Sequence, residues 1–123
     1  MAAQLVNSRF VLAVLDLRIS TDFYMNVLGF TRDFGDESDG WSFLSRGSFR
    51  VMLGECKGEV PASELNNHSY FAYINVDDVD AFYAELVEKG FTPHSFPASK
   101  PWGLREFGIT TPDGHRIMFG QVL

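Results

Sequence analysis

The chain opens its hydrophobic patterning with RFVLAVL (9–15), an apolar, β-rich run of the right length for one buried strand. The period then changes. In ISTDFYMNVLGF, Ile19, Phe23, Val27 and Leu28 recur at helical spacing, with Ser20 placed to cap the helix and Gly29 to end it. FTRDFG (30–35) reads as a strand, DESDG (36–40) as a turn, and WSFLSRGSFRVMLGE (41–55) as a hairpin bent at Arg46-Gly47. The segment 57–68 is polar, carries Pro and Gly, and reads as a connecting loop. After it the order repeats. SYFAYINV (69–76) is a strand, and DDVDAFYAELVEKG (77–90) is an amphipathic helix with acids at its start and Lys89-Gly90 at its end. FTPHSF (91–96) reads as a strand, PASKPWG (97–103) as a loop, and LREFGITTPDGHRIMFGQ (104–121) as a hairpin turning at Pro112-Asp113-Gly114.

The pattern is therefore βαβββ written twice, an α+β class. Wording is shared as well as order: Asp16 and Asp77 each follow a first strand, Phe23-Tyr24 answers Phe82-Tyr83, and Gly29-Phe30-Thr31 answers Gly90-Phe91-Thr92. A repeat of this kind carries more than any single motif. It predicts one domain over residues 1–123, made of modules at about 8–56 and 69–123 joined by the loop 57–68. Two half-units with like apolar faces can pack around one pocket lined by alternate strand residues.

Composition narrows the function. The net charge of −6 speaks against nucleic acid and anionic membranes as partners, both of which attract basic surfaces. Neither the apolar N-terminal run nor its flanks suit a signal peptide or membrane span. The single cysteine, Cys56, forbids an internal disulfide and fits a cytoplasmic protein. The twelve Phe fill a core or line an aromatic pocket.

VLDLRISTDFYMNVLGF, NVDDVDAFYAELVEKGF and TTPDGHRIMFG resemble the vicinal oxygen chelate superfamily, which includes glyoxalases, bleomycin-resistance proteins and dioxygenases. The resemblance covers nearly the whole chain and implies two βαβββ modules forming a cup-shaped mixed sheet. Metal enzymes of that group carry His and Glu at four inward strand positions. Counted onto this sequence, those positions fall on Arg9, Met52, Phe71 and Met118. Arg has no free lone pair, Phe has no donor atom, and Met thioether is soft, so no metal or other cofactor is expected. His68, His94 and His115 lie elsewhere and read as surface or hydrogen-bonding residues. Within the group, PWGLREF followed by Thr111-Pro112-Asp113-Gly114, together with GFTRDF (29–34) and GWSFLSRG (40–47), is most similar to metal-free bleomycin-resistance proteins. Such proteins are homodimers that hold a cationic, planar drug in clefts and do no chemistry on it. By that resemblance Trp102 lies near a cleft, and Phe34, Trp41 and Phe43 near its walls.

Strand parity adds Arg50 on the side of Met52, with Arg116 on the side of Met118. Arg9 is either a fixed charge in the cavity, or an internally paired residue with Glu106 one candidate partner, or a residue shifted to the sheet edge. Met52, Phe71, Tyr73 and Met118 make an apolar floor or simple packing. Arg105 and Glu106, as strand neighbours, point to opposite faces, one serving a dimer seam and the other the cavity, with Arg105 counted among the ligand-binding residues and a structural ion pair as the alternative. Asp77, Asp78 and Asp80 read as acids at a helix N-terminus. The expected function is metal-independent sequestration of a bleomycin-like drug or an unknown metabolite. The alternatives are a glyoxalase- or dioxygenase-like activity with an unusual metal site, a metal-free isomerase or lyase using Tyr73, His94 or Glu106 as acid or base, and a partner module acting through its sheet edges.

Overall fold

The computed structural model describes the chain except for Met1, Ala3, Leu5, Glu59, Ala62, Ser63, residues 65–68 and the side chain of Glu37. His68 and part of the expected loop lie outside the described residues. The chain divides into two compact units, Met1–Lys57 and Gly58–Leu123.

The first unit runs β1 (Phe10–Val14), α1 (Leu17–Asn26), β2 (Thr31–Phe34), a 3₁₀ turn (Glu37–Asp39), β3 (Trp41–Arg46) and β4 (Phe49–Glu55). Its sheet has the order β1-β4-β3-β2, with β1 parallel to β4 and the other pairs antiparallel. The second unit repeats this: β5 (Tyr70–Asn75), α2 (Val79–Glu88), β6 (Ala98–Ser99), β7 (Leu104–Thr110) and β8 (Arg116–Val122), in the order β5-β8-β7-β6. Each unit is thus a βαβββ module with a mixed sheet, as the repeat predicts.

Helix α1 starts one turn earlier than expected. Asp16, not Ser20, is its N-cap, its carboxylate accepting from the Ile19 N–H at 3.1 Å. Ser20 is instead buried inside the helix. Starting at Leu17 brings that side chain, 2% exposed, into the core, which a cap at Ser20 would have left in the preceding loop. Asp78 caps α2 in the same way through the Ala81 N–H. The last strand of each module completes the entry: Glu55 accepts from the Leu17 N–H and Gln121 from the Val79 N–H, at 3.1 and 2.9 Å. Gly29 and Gly90 follow the two helices at φ 76° and 85°, conformations that favour glycine.

Residues 91–96 do not form the expected strand. Pro93 has no N–H to give to a ladder. The segment meets β7 through His94 N–H to the Gly108 carbonyl and through Ser95 Oγ, which accepts from the Gly108 N–H. Regular pairing is confined to Ala98 and Ser99, opposite Glu106 and Arg105.

One face of each sheet is covered by its helix. In the first module Leu12, Val14, Leu44, Val51 and Leu53 are buried with Leu17, Phe23, Tyr24 and Leu28. In the second, Ala72, Phe107, Ile109, Ile117 and Phe119 are buried with Val79 and Leu86, and the Phe82 ring meets Phe119 at 4.8 Å. Each such aliphatic or aromatic side chain contributes roughly 1.5–3 kcal/mol by leaving water. A buried hydroxyl pair, Thr21 and Ser42 at 2.8 Å, satisfies the polar atoms between α1 and β3. No helix among the described residues is long and apolar enough to cross a membrane.

Candidate functional site

The sheet face opposite each helix is left open, and most of the chemistry lies there. In the first module the cross-strand register sets Val11, Met52 and Phe43 in one row, with Ala13, Gly54 and Trp41 in the next. The step between Arg32 and Phe34 on β2 spans two residues against one on β3. That bulge brings both Asp33 and Phe34 to the open face. The Phe34 and Phe43 rings stack at 4.2 Å and 21°, and Trp41 continues the stack at 6.4 Å and 27°. Trp41 lies over Gly54, where an added Cβ would stand 2.8 Å from its ring. Phe34 and Trp41 remain exposed, at 57% and 38%.

Arg9 stands over this group, its guanidinium carbon 5.4 Å from the Phe34 centroid and 5.5 Å from that of Phe43. It is not a free charge. Nη2 donates to Asp33 at 3.0 Å, and Nη1 to the carbonyls of Val51 and Leu44 at 3.2 and 3.4 Å. Ser45 Oγ donates to the other Asp33 oxygen at 2.9 Å. Burial pushes the Asp33 carboxyl up, but the bonds from Arg9 and Ser45 outweigh it and hold it below the usual carboxylate value. Of the three readings of Arg9, the internally paired one describes its position, with Asp33 as the carboxylate. Arg50 is half-buried, its Nε donating to the Ser8 carbonyl.

In the second module Tyr73 and Met118 are register partners, and Gly108 lies opposite Met118 on β7. The Tyr73 hydroxyl reaches across Gly120 to donate to Glu106 Oε2 at 2.7 Å. Burial, then the bond and charge of Glu106, push the Tyr73 phenol up to about 12. On the other side His94 lies over Gly108, with Nε2 3.0 Å from the Tyr70 hydroxyl and Nδ1 3.0 Å from Thr110 Oγ1. Burial, then the charge of Arg116, lower its pKa below 6.5, so the imidazole is neutral at physiological pH.

The His94 shift gives a testable pH dependence. A histidine whose folded value is depressed contributes stability that is present above 6.5 and lost as pH falls toward the folded value, because the unfolded chain takes the proton first. Urea unfolding at about pH 7.5 and about pH 5.5 is expected to show this loss in the wild type and a smaller one in His94→Gln. Equal slopes in both would mean that His94 is not held neutral.

The remaining candidates are placed differently. Arg105, expected to bind ligand, lies instead on the helix-covered face, where Nε and Nη2 grip the two oxygens of Asp80 at 2.9 and 3.0 Å and Nη1 reaches Ser99. Glu106 is the member of that pair on the open face. Phe71 sits at a register shift in β5, its ring edge-on to His115 at 5.9 Å. Trp102 lies in the turn before β7, 64% exposed. Sequence reasoning missed Asp33, Gly54, Gly108 and Gly120. The signal for two of these is in the repeat: RVMLGE (50–55) and RIMFGQ (116–121) carry a glycine at the same place.

The four counted metal positions do not fit a metal. Arg9 only donates and is engaged with Asp33, Phe71 has no donor atom, and Met52 and Met118 offer thioethers. Among the described residues no three His, Cys, Asp or Glu side chains are grouped to hold an ion.

No curated protein sequence matches the chain. The family described as Glyoxalase/Bleomycin resistance protein/Dioxygenase superfamily matches residues 8–119. Among solved structures, the chain is similar to a bleomycin-binding protein from bleomycin-producing Streptomyces verticillus complexed with copper(II)-bleomycin. The two are 24% identical over 96% of this chain and 97% of that one, with a TM-score of 0.74. A bleomycin-binding protein complexed with bleomycin is 23% identical over 97% of this chain and 100% of that one, also with a TM-score of 0.74. A glyoxalase/bleomycin resistance protein/dioxygenase from Nocardioides is 21% identical over 100% of this chain and 87% of that one, with a TM-score of 0.72. At these identities the likeness is one of fold.

Proposed function

The chain belongs to the Glyoxalase/Bleomycin resistance protein/Dioxygenase superfamily, and from that premise we propose that it is a metal-independent small-molecule binding protein that sequesters a flat, drug-like ligand. One observation carries this reading: the stack of Phe34, Phe43 and Trp41, with Arg9 over the two phenylalanines and Trp41 lying on Gly54. The exposed Phe34 and Trp41 rings of this stack are the π-faces left for a planar heteroaromatic group. Arg9 is already neutralised by Asp33, so the platform selects by shape and stacking rather than by charge. Met52 forms its floor. Trp102, far more exposed than Trp41, serves as a second stacking surface. Bleomycin, which the Streptomyces verticillus protein holds, is the first ligand to try. The protein acts as a homodimer in the cytoplasm, where its exposed Cys56 thiol stays reduced.

The acid–base alternative has less support. Tyr73 is pushed to about 12 and His94 is lowered, so the tuning moves both away from their usual values without pairing a poised acid with a poised base.

The test uses Trp102→Phe, which leaves Trp41 as the only indole reporter. Bleomycin is expected to change its emission saturably. In calorimetry Trp41→Ala is expected to weaken binding by about 30-fold, the cost of losing a central aromatic anchor worth about 2 kcal/mol. Unchanged affinity in that variant would remove the platform from the account.

A further inference from the structure

The open face of the first module holds more positive than negative charge, although the whole chain stands at −6. Its charged side chains among the described residues are Arg9, Asp33 and Arg50. The other strand charges of the module, Arg32, Arg46 and Glu55, share the parity of Leu44 and Leu53 on the helix side. On the open face, two guanidiniums therefore meet one carboxylate. Continuing the parallel register of β1 and β4 by one residue sets Arg9 beside Arg50, and Arg50 Nε donates to the Ser8 carbonyl at 3.1 Å. Asp33 is fully engaged, one oxygen accepting from Arg9 and the other from Ser45. Among the described residues Arg50 has no carboxylate within ion-pair distance, and its two Nη groups make no bond. A half-buried guanidinium beside a second one, without a counter-ion of its own, favours an anion that takes its open edge. Because Nε is spent on Ser8, that edge is the pair of Nη atoms, whose N–H groups match the two oxygens of a carboxylate. The position adds a second requirement. Ser45 and Arg50 form the row next to Phe43 and Met52, about 7 Å away along the strands. One small ligand can lie on the phenyl rings and reach Arg50.

We propose that Arg50 anchors an anionic group, a carboxylate or a sulfonate, of an aromatic ligand whose ring lies against the Phe34–Phe43 stack. This rests on the reading of the stack as a ligand platform and adds the charge class that it selects. The platform itself is neutral, because Arg9 is matched by Asp33, and the discriminating charge stands beside it. The acidity of the rest of the chain does not oppose the anion at this range, since charges are screened over about 8 Å at physiological salt.

Calorimetry with the naphthoate anion and with its neutral isostere naphthamide tests the assignment. Naphthoate is expected to bind about tenfold more tightly or better, and the preference to shrink as sodium chloride is raised. In Arg50→Gln the preference is expected to vanish while naphthamide binds as before. Arg116→Gln removes the same charge from the equivalent place in the second module, RIMFGQ against RVMLGE, and is expected to keep the preference. Equal affinity for the two probes, no naphthoate binding, or a preference that salt does not touch overturns the anchor. So does a preference that survives in Arg50→Gln, or one that Arg116→Gln removes equally, which would make it an effect of overall charge. The salt dependence is read on the wild type and does not rest on how either variant folds. The Trp41 emission response to bleomycin separates this inference from its premise. A persisting response without a naphthoate preference removes only the anchor. An Arg50-dependent preference without any Trp41 response leaves the anchor standing and removes the platform.

Discussion

Gly120→Ala is expected to destabilise the protein by about 1–2 kcal/mol, chiefly through the lost bond, and to free the Tyr73 phenol. A Cβ at position 120 would stand 1.8 Å from the Tyr73 hydroxyl oxygen and 2.6 Å from the ring carbon that bears it. The backbone is not the obstacle, since Gly120 is not among the positive-φ glycines. The ring must leave, and with it goes the 2.7 Å bond to Glu106, which loses its only donor among the described residues. A buried charged group stripped of its partner costs more than a neutral one. Two measurements check this. Urea unfolding reads the loss directly. Alkaline titration of the tyrosines reads its cause: in the wild type one phenol titrates late, near 12, and in the variant it returns toward 10.0. The raised folded value also fixes the sign of the wild type's alkaline behaviour. The stability from this bond is fully present below 10.0 and lost as pH rises through about 12. A variant as stable as the wild type, with an unchanged titration, would show that Tyr73 does not lie across this glycine.

Arg9→Met is expected to cost about 2 kcal/mol and to loosen the aromatic stack. The guanidinium ties together three things that the sequence keeps far apart: Asp33 on β2, the carbonyls of Leu44 and Val51, and the faces of Phe34 and Phe43. Asp33 is exposed, so solvent screens the ion pair, and most of the loss comes from the two carbonyl bonds and the ring contacts of the half-buried Arg9. Methionine keeps much of the length and apolar contact of the stem but removes every donor. The acid limb of the stability profile moves with it. Asp33 is depressed in the folded protein, so its contribution is present above 3.8 and lost as pH falls through the lowered value. In Arg9→Met that contribution is smaller at every pH above the transition. Denaturant unfolding at neutral and acid pH is the check, and an unchanged acid limb would mean that Arg9 and Asp33 are not paired.

The fold was legible because two periodicities agree. Apolar runs such as RFVLAVL and helical spacings such as Ile19–Phe23–Val27 occur in the same order twice, and the structure follows both. Ser20 misled because hydroxyl residues suit caps and interiors alike. The choice was made by burial of Leu17, a tertiary effect that local propensity does not carry. FTPHSF misled because its β-rich composition hides Pro93, which breaks a ladder. The open faces were half legible. Parity put Met52 with Arg50 and Met118 with Arg116, and it separated Arg105 from Glu106. Arg105 was expected at the ligand and lies with the helix instead, because Asp80 of α2 holds it there. Asp33 was invisible because a bulge, not an alternation, turns it to the face. Gly54, Gly108 and Gly120 have no side chains to attract notice, and their role is read only from the rings lying over them.

The most direct measurement is a titration of Trp102→Phe with bleomycin after exhaustive metal removal from protein and ligand, followed by Trp41 emission and calorimetry together. The account predicts a saturable emission change matched by heat, both lost or sharply weakened in Trp41→Ala. No emission change and no heat at any attainable concentration, or binding that Trp41→Ala leaves intact, would contradict it.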